Sequence, residues 1–212
     1  MRIIVGVSGA SGTILAETLL RALRQYPEVE THLVMSKGAM RTMELESSLS
    51  KEEIASLAHQ VHPIGDIAAN IASGSFVTAG MVVVPCSMKT LSGIVHGYSD
   101  NLLLRAADVC MKERRKLVLV TREMPLSSLH LENMLKASNY GAVVMPPMLT
   151  FYNHPHTVQD LINHLTGKVL MQFGLEYTSF KAWQGPEEHS VNGQGPLHTF
   201  GTPAPGARHI KE

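Results

Sequence analysis

Four apolar stretches of this chain each run straight into a small polar cluster, and that pattern limits the fold more than any other feature of the sequence. Ile3, Ile4 and Val5 lead into GVSGASG (Gly6–Gly12), and MVVVPC (Met81–Cys86) leads into SMKT (Ser87–Thr90). Leu117–Thr121 leads into Arg122 and Glu123, and Ala142–Pro147 is followed closely by Phe151 and Tyr152. Further strand signals fall at Thr31–Met35, ending at Ser36 and Lys37. Helical periodicity fills the intervals. Thr13–Gln25 carries Leu15, Leu19, Ala22 and Leu23 on one stripe, and Lys51–Ala58 starts with Ser50 and Glu53 in capping-box spacing. Ser87–His96, Leu102–Lys112, Leu126–Ser138 and Val158–Phe173 also read as helices, whereas residues 61–78 show no clear period and read as short helix and loop. The Val82–Val84 run has no polar alternation, so both of its faces are expected to be covered. Strands alternating with helices predict an α/β chain with a mostly parallel sheet sandwiched between helical layers. In such a sheet ligands bind beyond the carboxyl ends of the strands. The four polar clusters therefore describe one pocket built from distant segments.

Composition narrows the class. Eighteen Lys and Arg balance eighteen Asp and Glu, which leaves no field suited to nucleic acid or a membrane surface. No apolar run approaches the ~20 residues that span a bilayer, and the first residues form a strand rather than a secretory leader. Cys86 and Cys110 both lie in apolar surroundings and read as reduced, buried thiols of a cytoplasmic protein. From Gly185 to Gly206 five Gly and four Pro fall without apolar periodicity, so residues 185–212 read as an extended or disordered tail.

Each cluster has a plain reading and a chemical one. Gly6, Gly9 and Gly12 suit a tight strand-to-helix turn, and the helix end behind them offers N–H groups to an anion. Their spacing departs from the dinucleotide fingerprint, and no acidic residue closes the second strand. Ser8 and Ser11 add hydroxyls suited to capping or to a ligand. Ser87 is placed as an N-cap, but capping leaves Lys89 and Thr90 unexplained. Arg122 and Glu123 form either a surface ion pair or a phosphate fork beside a proton-transfer group whose pKa an anion would raise. Residues 112–116 are a charge run of the kind that solvates a helix end, with Lys112 and Arg105 on one face. Lys168 edges the stripe Val158, Leu161, Ile162, Leu165 and Val169, and either snorkels or meets an anion. Tyr152, His154 and His156 do not have zinc-site spacing, and no metal is expected.

The segments GVSGASG, VPCSMKTLSGI, SDNLLLRAADVCMKERRKLVLVTREMPLS and GAVVMPPMLTFYNHP together resemble the UbiX-like flavin prenyltransferases, in order from Met1 to about Trp183. The resemblance implies a three-layer, Rossmann-like or flavodoxin-like flavoprotein domain over residues 1–184. It implies a homododecamer with active sites at subunit junctions. Reduced FMN and dimethylallyl monophosphate would react there, joining the prenyl group to flavin N5 and C6 and releasing phosphate. The prenylated FMN would serve a UbiD-like decarboxylase. By matching position, Gly9, Ala10, Ser11, Ser36, Ser87, Met88, Lys89, Thr90 and Arg122 are expected at the flavin. Ser73, Gly74, Arg105, Lys112, Tyr152 and Lys168 are expected at the prenyl phosphate, in part from a neighbouring subunit. Trp183 would cover the prenyl chain. Glu123 would act as acid or base with Ser11 relaying a proton, and either Glu44 or Glu46 would approach the site. Some relatives carry Arg where this chain has Lys168, which keeps the charge but loses the fork. Two other readings share the pocket. One is a flavin-dependent cysteine decarboxylase, for which His96 is the nearest candidate base; the other is a non-catalytic flavin carrier.

Overall fold

Strand β1 (Arg2–Val7) lies at the middle of a six-stranded sheet and shows one exposed residue followed by five buried ones. The computed structural model describes residues 1–183 and residue 185. With β2 (Glu30–Met35), β3 (Gln60–His62), β4 (Gly80–Cys86), β5 (Lys116–Thr121) and β6 (Val143–Val144), the order across the sheet is β3-β2-β1-β4-β5-β6. Every pairing is parallel. A parallel sheet needs helical crossovers. These are α1 (Thr13–Leu23), α2 (Lys37–Glu46), α3 (Lys51–Ala55), α4 (Met88–Val95), α5 (Leu102–Lys112), α6 (Ser128–Asn139) and α7 (Val158–Met171).

The strand residues divide by parity between two cores. Ile3, Val5, Leu33, Val82, Val84, Val118 and Val120 pack with residues of α1, α2, α3 and α7. Ile4, Val34, Met81, Val83, Leu117 and Leu119 pack with α4 and α5 and with Ala137 of α6. The uninterrupted valines of β4 follow from this, since the strand is buried along its whole length. Because α1 and α4 leave neighbouring strands for opposite faces, their loops part between β1 and β4. That is the topological switch point, where an open α/β sheet forms a crevice.

The periodic helices and the central strands occur where the sequence places them; Leu102–Lys112 matches to the residue. Two elements differ. Residues 61–78 hold a short edge strand, β3, and a 3₁₀ turn over Asn70–Ala72. β3 is three residues long with only His62 buried, so no apolar run announces it. Helix α2 buries just Ala39 and Met43, a stripe too thin to read from pattern alone.

The chain divides into two units, Met1–Ala182 and Trp183–Glu212. Of the second only Trp183 and Gly185 are described, so the tail expected from residue 185 lies outside the described residues apart from Gly185. Among the described residues no helix is long and apolar enough to cross a membrane.

A histidine pair ties the edge strand to the sheet. His32 of β2 is fully buried, and its Nδ1 lies 3.0 Å from Nε2 of His62 in β3, with the rings stacked at 11°. Phe76 packs edge-on against His32, Glu30 Oε1 lies 3.2 Å from its Nε2, and Arg2 sits over Phe76. Burial pulls both imidazoles below their ordinary value of 6.5; the Glu30 carboxylate opposes this at His32, and Asp66 opposes it at His62, without reversing it. A ring with a lowered native pKa binds fewer protons folded than unfolded. Its contribution to stability is therefore complete above the unfolded pKa and declines as pH falls through it. The melting temperature is expected to fall as pH drops below about 6.5, before carboxylates titrate. His62→Gln should flatten that decline. Thermal melts that stay level through this range would contradict a buried neutral pair.

Candidate active site

The loops after β1 and β4 are stitched together by one hydroxyl. Ser8 is fully buried; its Oγ donates to the Pro85 carbonyl at 2.9 Å and accepts the Ser87 N–H at 2.7 Å. The Ser8 N–H also reaches Pro85 O. These backbone groups lie where the parallel ladder stops, and left unpaired each would cost about 1–3 kcal/mol. Ser8 therefore does not cap α1; its hydroxyl is committed to the backbone and fixes the crevice itself. Ser87, held by this stitch, caps α4 by accepting the Thr90 N–H at 3.3 Å and donates to Thr90 Oγ1 at 3.1 Å. Met88 and Lys89 follow in the first turn, where N–H groups have no partner within the helix.

On the other side of the crevice Gly9 lies against Gly38 at the start of α2. A Cβ on Gly9 would stand 3.0 Å from the Gly38 backbone, a contact tighter than nearly all side chains make, so glycine suits this close approach. Ser36 closes β2 by donating its N–H to Val7 O and caps α2 through the Ala39 N–H.

The N-terminus of α1 corrects an expectation. Its N–H groups do not wait for an external anion, because the Glu46 carboxylate from the end of α2 occupies them. Glu46 Oε2 accepts from Gly12 N at 2.8 Å, from Thr13 N at 3.2 Å and from Thr13 Oγ1 at 3.3 Å. Partial burial alone would raise this carboxyl. The hydrogen bonds from the Ser11 hydroxyl and from Gly12 and Thr13 outweigh that and hold it below the ordinary carboxylate range. Neither Ser8 nor Ser11 caps the helix; Gly12, with φ of 102°, is its N-cap. Of the two acidic candidates, Glu46 meets the β1–α1 loop, while Glu44 pairs with Arg41 at the surface.

Beyond β5 a cleft of about 320 Å³ opens, lined by Thr121–Leu126, Met134 and Pro146–Met148. Arg122 and Glu123 charge it, and apart from Thr121 the rest of its wall is Met, Pro and Leu. The Arg122 N–H donates to Cys86 O at 3.0 Å, which ties this loop to the end of β4. Glu123 Oε1 accepts the Met124 N–H at 3.0 Å. Thr121 is 2% exposed, and its hydroxyl has no hydrogen-bond partner among the described residues. A heteroaromatic ring edge would satisfy such a group. This orphan hydroxyl, the close Gly9–Gly38 approach and the open first turn of α4 fit a flavin in the crevice.

The remaining expected residues do not line the cleft beside β5 and fall in two groups. Ser73 and Gly74 precede β4, and Lys112 ends α5 just before β5, so both belong to the opposite, amino-terminal edge of the sheet. Arg105 Nε donates to Ala72 O at 3.2 Å and pairs with Asp108 at 2.7 Å, and Lys112 pairs with Glu113. A Cβ on Gly74 would run into the Glu113 carboxylate. The charge run is not simply a solvated helix end: Arg115 donates to the carbonyls of Phe76 and Gly74 and clamps this loop. The second group lies before and on α7, where Tyr152 meets His164 and Lys168 follows His164 by one turn. Trp183 is 60% exposed and opens the second unit. His96 is the C-cap of α4, at the far end of that helix from the crevice, with Nδ1 against Ser92 O at 2.8 Å; this is a poor place for a base. Both cysteines are buried, and burial pushes each thiol up to about 12, which leaves them inert. Sequence reasoning missed the parts of Thr121, Arg115 and His164, whose neighbours are all distant in the chain.

Comparison with known proteins agrees with this geometry. The profile of the Flavoprotein family matches residues 1–170. A probable UbiX-like flavin prenyltransferase of Sedimentibacter hydroxybenzoicus is 57% identical over 188 residues, covering 89% of this chain and all of the relative. Among solved structures, a dodecameric FMN-dependent UbiX-like decarboxylase from Escherichia coli O157:H7 superposes with a TM-score of 0.86 at 58% identity, covering 87% of this chain and 100% of that one. AnUbiX (PadA1), solved in complex with FMN and dimethylallyl pyrophosphate, superposes with a TM-score of 0.85 at 48% identity, over 87% and 97% of the two chains. The crevice at the β1–β4 switch point, its charged and apolar annex beside β5, and nearly full-length similarity together show that this chain belongs to the UbiX-like flavin prenyltransferases of the Flavoprotein family.

Proposed function

We propose that this chain is an enzyme that transfers the dimethylallyl group of dimethylallyl monophosphate to N5 and C6 of reduced FMN and releases phosphate. The observation that carries this reading is the cleft beside β5, whose Met, Pro and Leu wall suits a short apolar chain and whose Arg122 suits the anionic head. Reduced FMN supplies the electron-rich ring that accepts the prenyl group. The chain's residues would hold that ring, stabilise the departing phosphate and remove a proton. Gly9, Ala10, Ser11, Ser36 and Ser87–Thr90 would hold FMN at the switch point. Arg122 would lie between flavin and phosphate, where a fixed cation or donor contributes about 3–4 kcal/mol to a transition state that develops negative charge. Glu123 would take the proton. Ser11 would relay it toward Glu46, whose ionised carboxylate already accepts the Ser11 hydroxyl. The apolar wall would keep water from an allylic cation.

Ser73, Gly74, Arg105 and Lys112 at one sheet edge, and Tyr152 and Lys168 before and on α7, would bind the prenyl phosphate, in part from a neighbouring subunit of a homododecamer. Trp183 would cover the prenyl chain. The catalytic domain would be residues 1–184, with 185–212 outside it. Two buried, inert thiols fit a cytoplasmic setting, and the product would pass to a UbiD-like decarboxylase.

Anaerobic incubation with reduced FMN and dimethylallyl monophosphate should raise the flavin mass by one dimethylallyl unit and change its absorbance; recovery of unaltered FMN would refute the activity. In the same assay Glu123→Gln should slow turnover by about 10²–10⁴-fold, and native-rate turnover would remove Glu123 from the proton path. Lys168→Ala should raise the KM for the prenyl phosphate roughly 10- to 100-fold, as expected for a lost charged hydrogen bond. FMN affinity should stay intact in that variant, and an equal loss of FMN binding would contradict the division between the two groups.

A further inference from the structure

We propose that His164 is a positioning residue for prenyl transfer: held by Asn153 in its Nε2–H tautomer, it donates to the Tyr152 phenol oxygen and so directs the Tyr152 hydroxyl proton toward the departing phosphate. This rests on Tyr152 being a phosphate-binding hydroxyl, as proposed above. His164 projects from the middle of α7 and is 5% exposed. Its ring is gripped on two sides. Tyr152 meets it edge-on at 5.6 Å and 82°, and Phe180 lies at 5.0 Å and 44°. A buried imidazole in this position must pair both nitrogens, and among the described residues each has one hydrogen-bonding neighbour. Nε2 lies 3.4 Å from the Tyr152 hydroxyl, and Nδ1 lies 3.4 Å from Asn153 Nδ2.

The chemistry of the partners decides who donates. Asn153 turns its amide nitrogen toward Nδ1, and an amide nitrogen only donates, so in this orientation Nδ1 accepts. Burial and, after it, the Lys168 ammonium one turn along the helix pull the imidazole pKa down, which keeps the ring neutral with a single proton. That proton is then on Nε2, facing the phenol oxygen. A phenol that accepts through its oxygen turns its own hydrogen away from the imidazole. Lys168 is exposed and four residues after His164 on the same helix face, which would let the ammonium and the aimed hydroxyl share one anion. Turning the Asn153 amide over would instead offer a partner to Asn153 Oδ1, which is buried and has none among the described residues, and would reverse the ring. The tautomer is therefore the point at which the proposal stands or falls.

Two measurements on the full chain test it. Nitrogen NMR of labelled protein should show His164 protonated at Nε2; protonation at Nδ1 overturns the inference. In kinetics, Tyr152→Phe should lower kcat/KM for dimethylallyl monophosphate by about 100-fold. His164→Phe should lower it by about tenfold, and His164→Gln, which keeps a donor near Nε2, should restore it. The double variant Tyr152→Phe/His164→Phe should be no worse than Tyr152→Phe. FMN affinity and melting temperature identify variants that fold; if His164→Phe does not, His164→Gln and the tautomer decide. A Tyr152→Phe enzyme of native rate removes the reading of Tyr152 itself. A costly Tyr152→Phe with silent or fully additive His164 variants overturns the role of His164 alone.

Discussion

A parallel sheet that winds outward in both directions must leave a gap between its first strand and its fourth, and the backbone at that gap has no ladder to bond to. Ser8 resolves this constraint. Its hydroxyl links the Pro85 carbonyl to the Ser87 N–H, so two loops that leave for opposite faces remain in register. The position of the Ser87 cap, and with it the open first turn of α4, follows from that link. So does the distance across which anything bound in the crevice must fit. Arg122 continues the arrangement, because its N–H is bonded to Cys86 O and its side chain lines the cleft beside β5.

Charge in this molecule is arranged around internal partners before any substrate arrives. Glu46 neutralises the positive end of α1, Asp108 pairs with Arg105, and Glu113 pairs with Lys112. The α1 N-terminus, the most obvious anion site in the sequence, is therefore the least available one in the fold. Among the described residues Arg122, which lines the cleft beside β5, and Lys168 on α7 have no carboxylate partner within salt-bridge distance. The paired cations at the amino-terminal edge would have to exchange carboxylate partners for a phosphate. Such an exchange costs less than bringing an unpaired cation out of water, because one oxyanion replaces another.

Much of the architecture was legible in the sequence because it depends on local pattern. The valines of β4, the leucine stripe of α1 and the capping box at Ser50 each declare themselves within a few residues. The site was legible in outline for the same reason, since polar residues directly after a buried strand have only one place to go. Long-range geometry was not legible. Nothing near Glu46 distinguishes it from Glu44, and only the packing of α2 against the β1–α1 loop separates them. Arg115 looks like part of a solvated charge run until the 74–76 loop folds over it. His164 reads as one residue in an amphipathic helix until Tyr152, Asn153 and Phe180 surround it. β3 is too short to carry a pattern at all.

The proposed function places cations that would bind phosphate on opposite edges of the sheet of one chain, so that neighbouring copies would complete each reaction centre. Arg122→Ala and Lys112→Ala chains can be purified separately and then co-assembled. Each variant alone should be nearly inactive. In mixed oligomers some centres combine the intact Arg122 of one chain with the intact Lys112 of another, so prenyl transfer should return. Mixed oligomers as inactive as their parents would mean that a single chain supplies both cations, and would contradict the account.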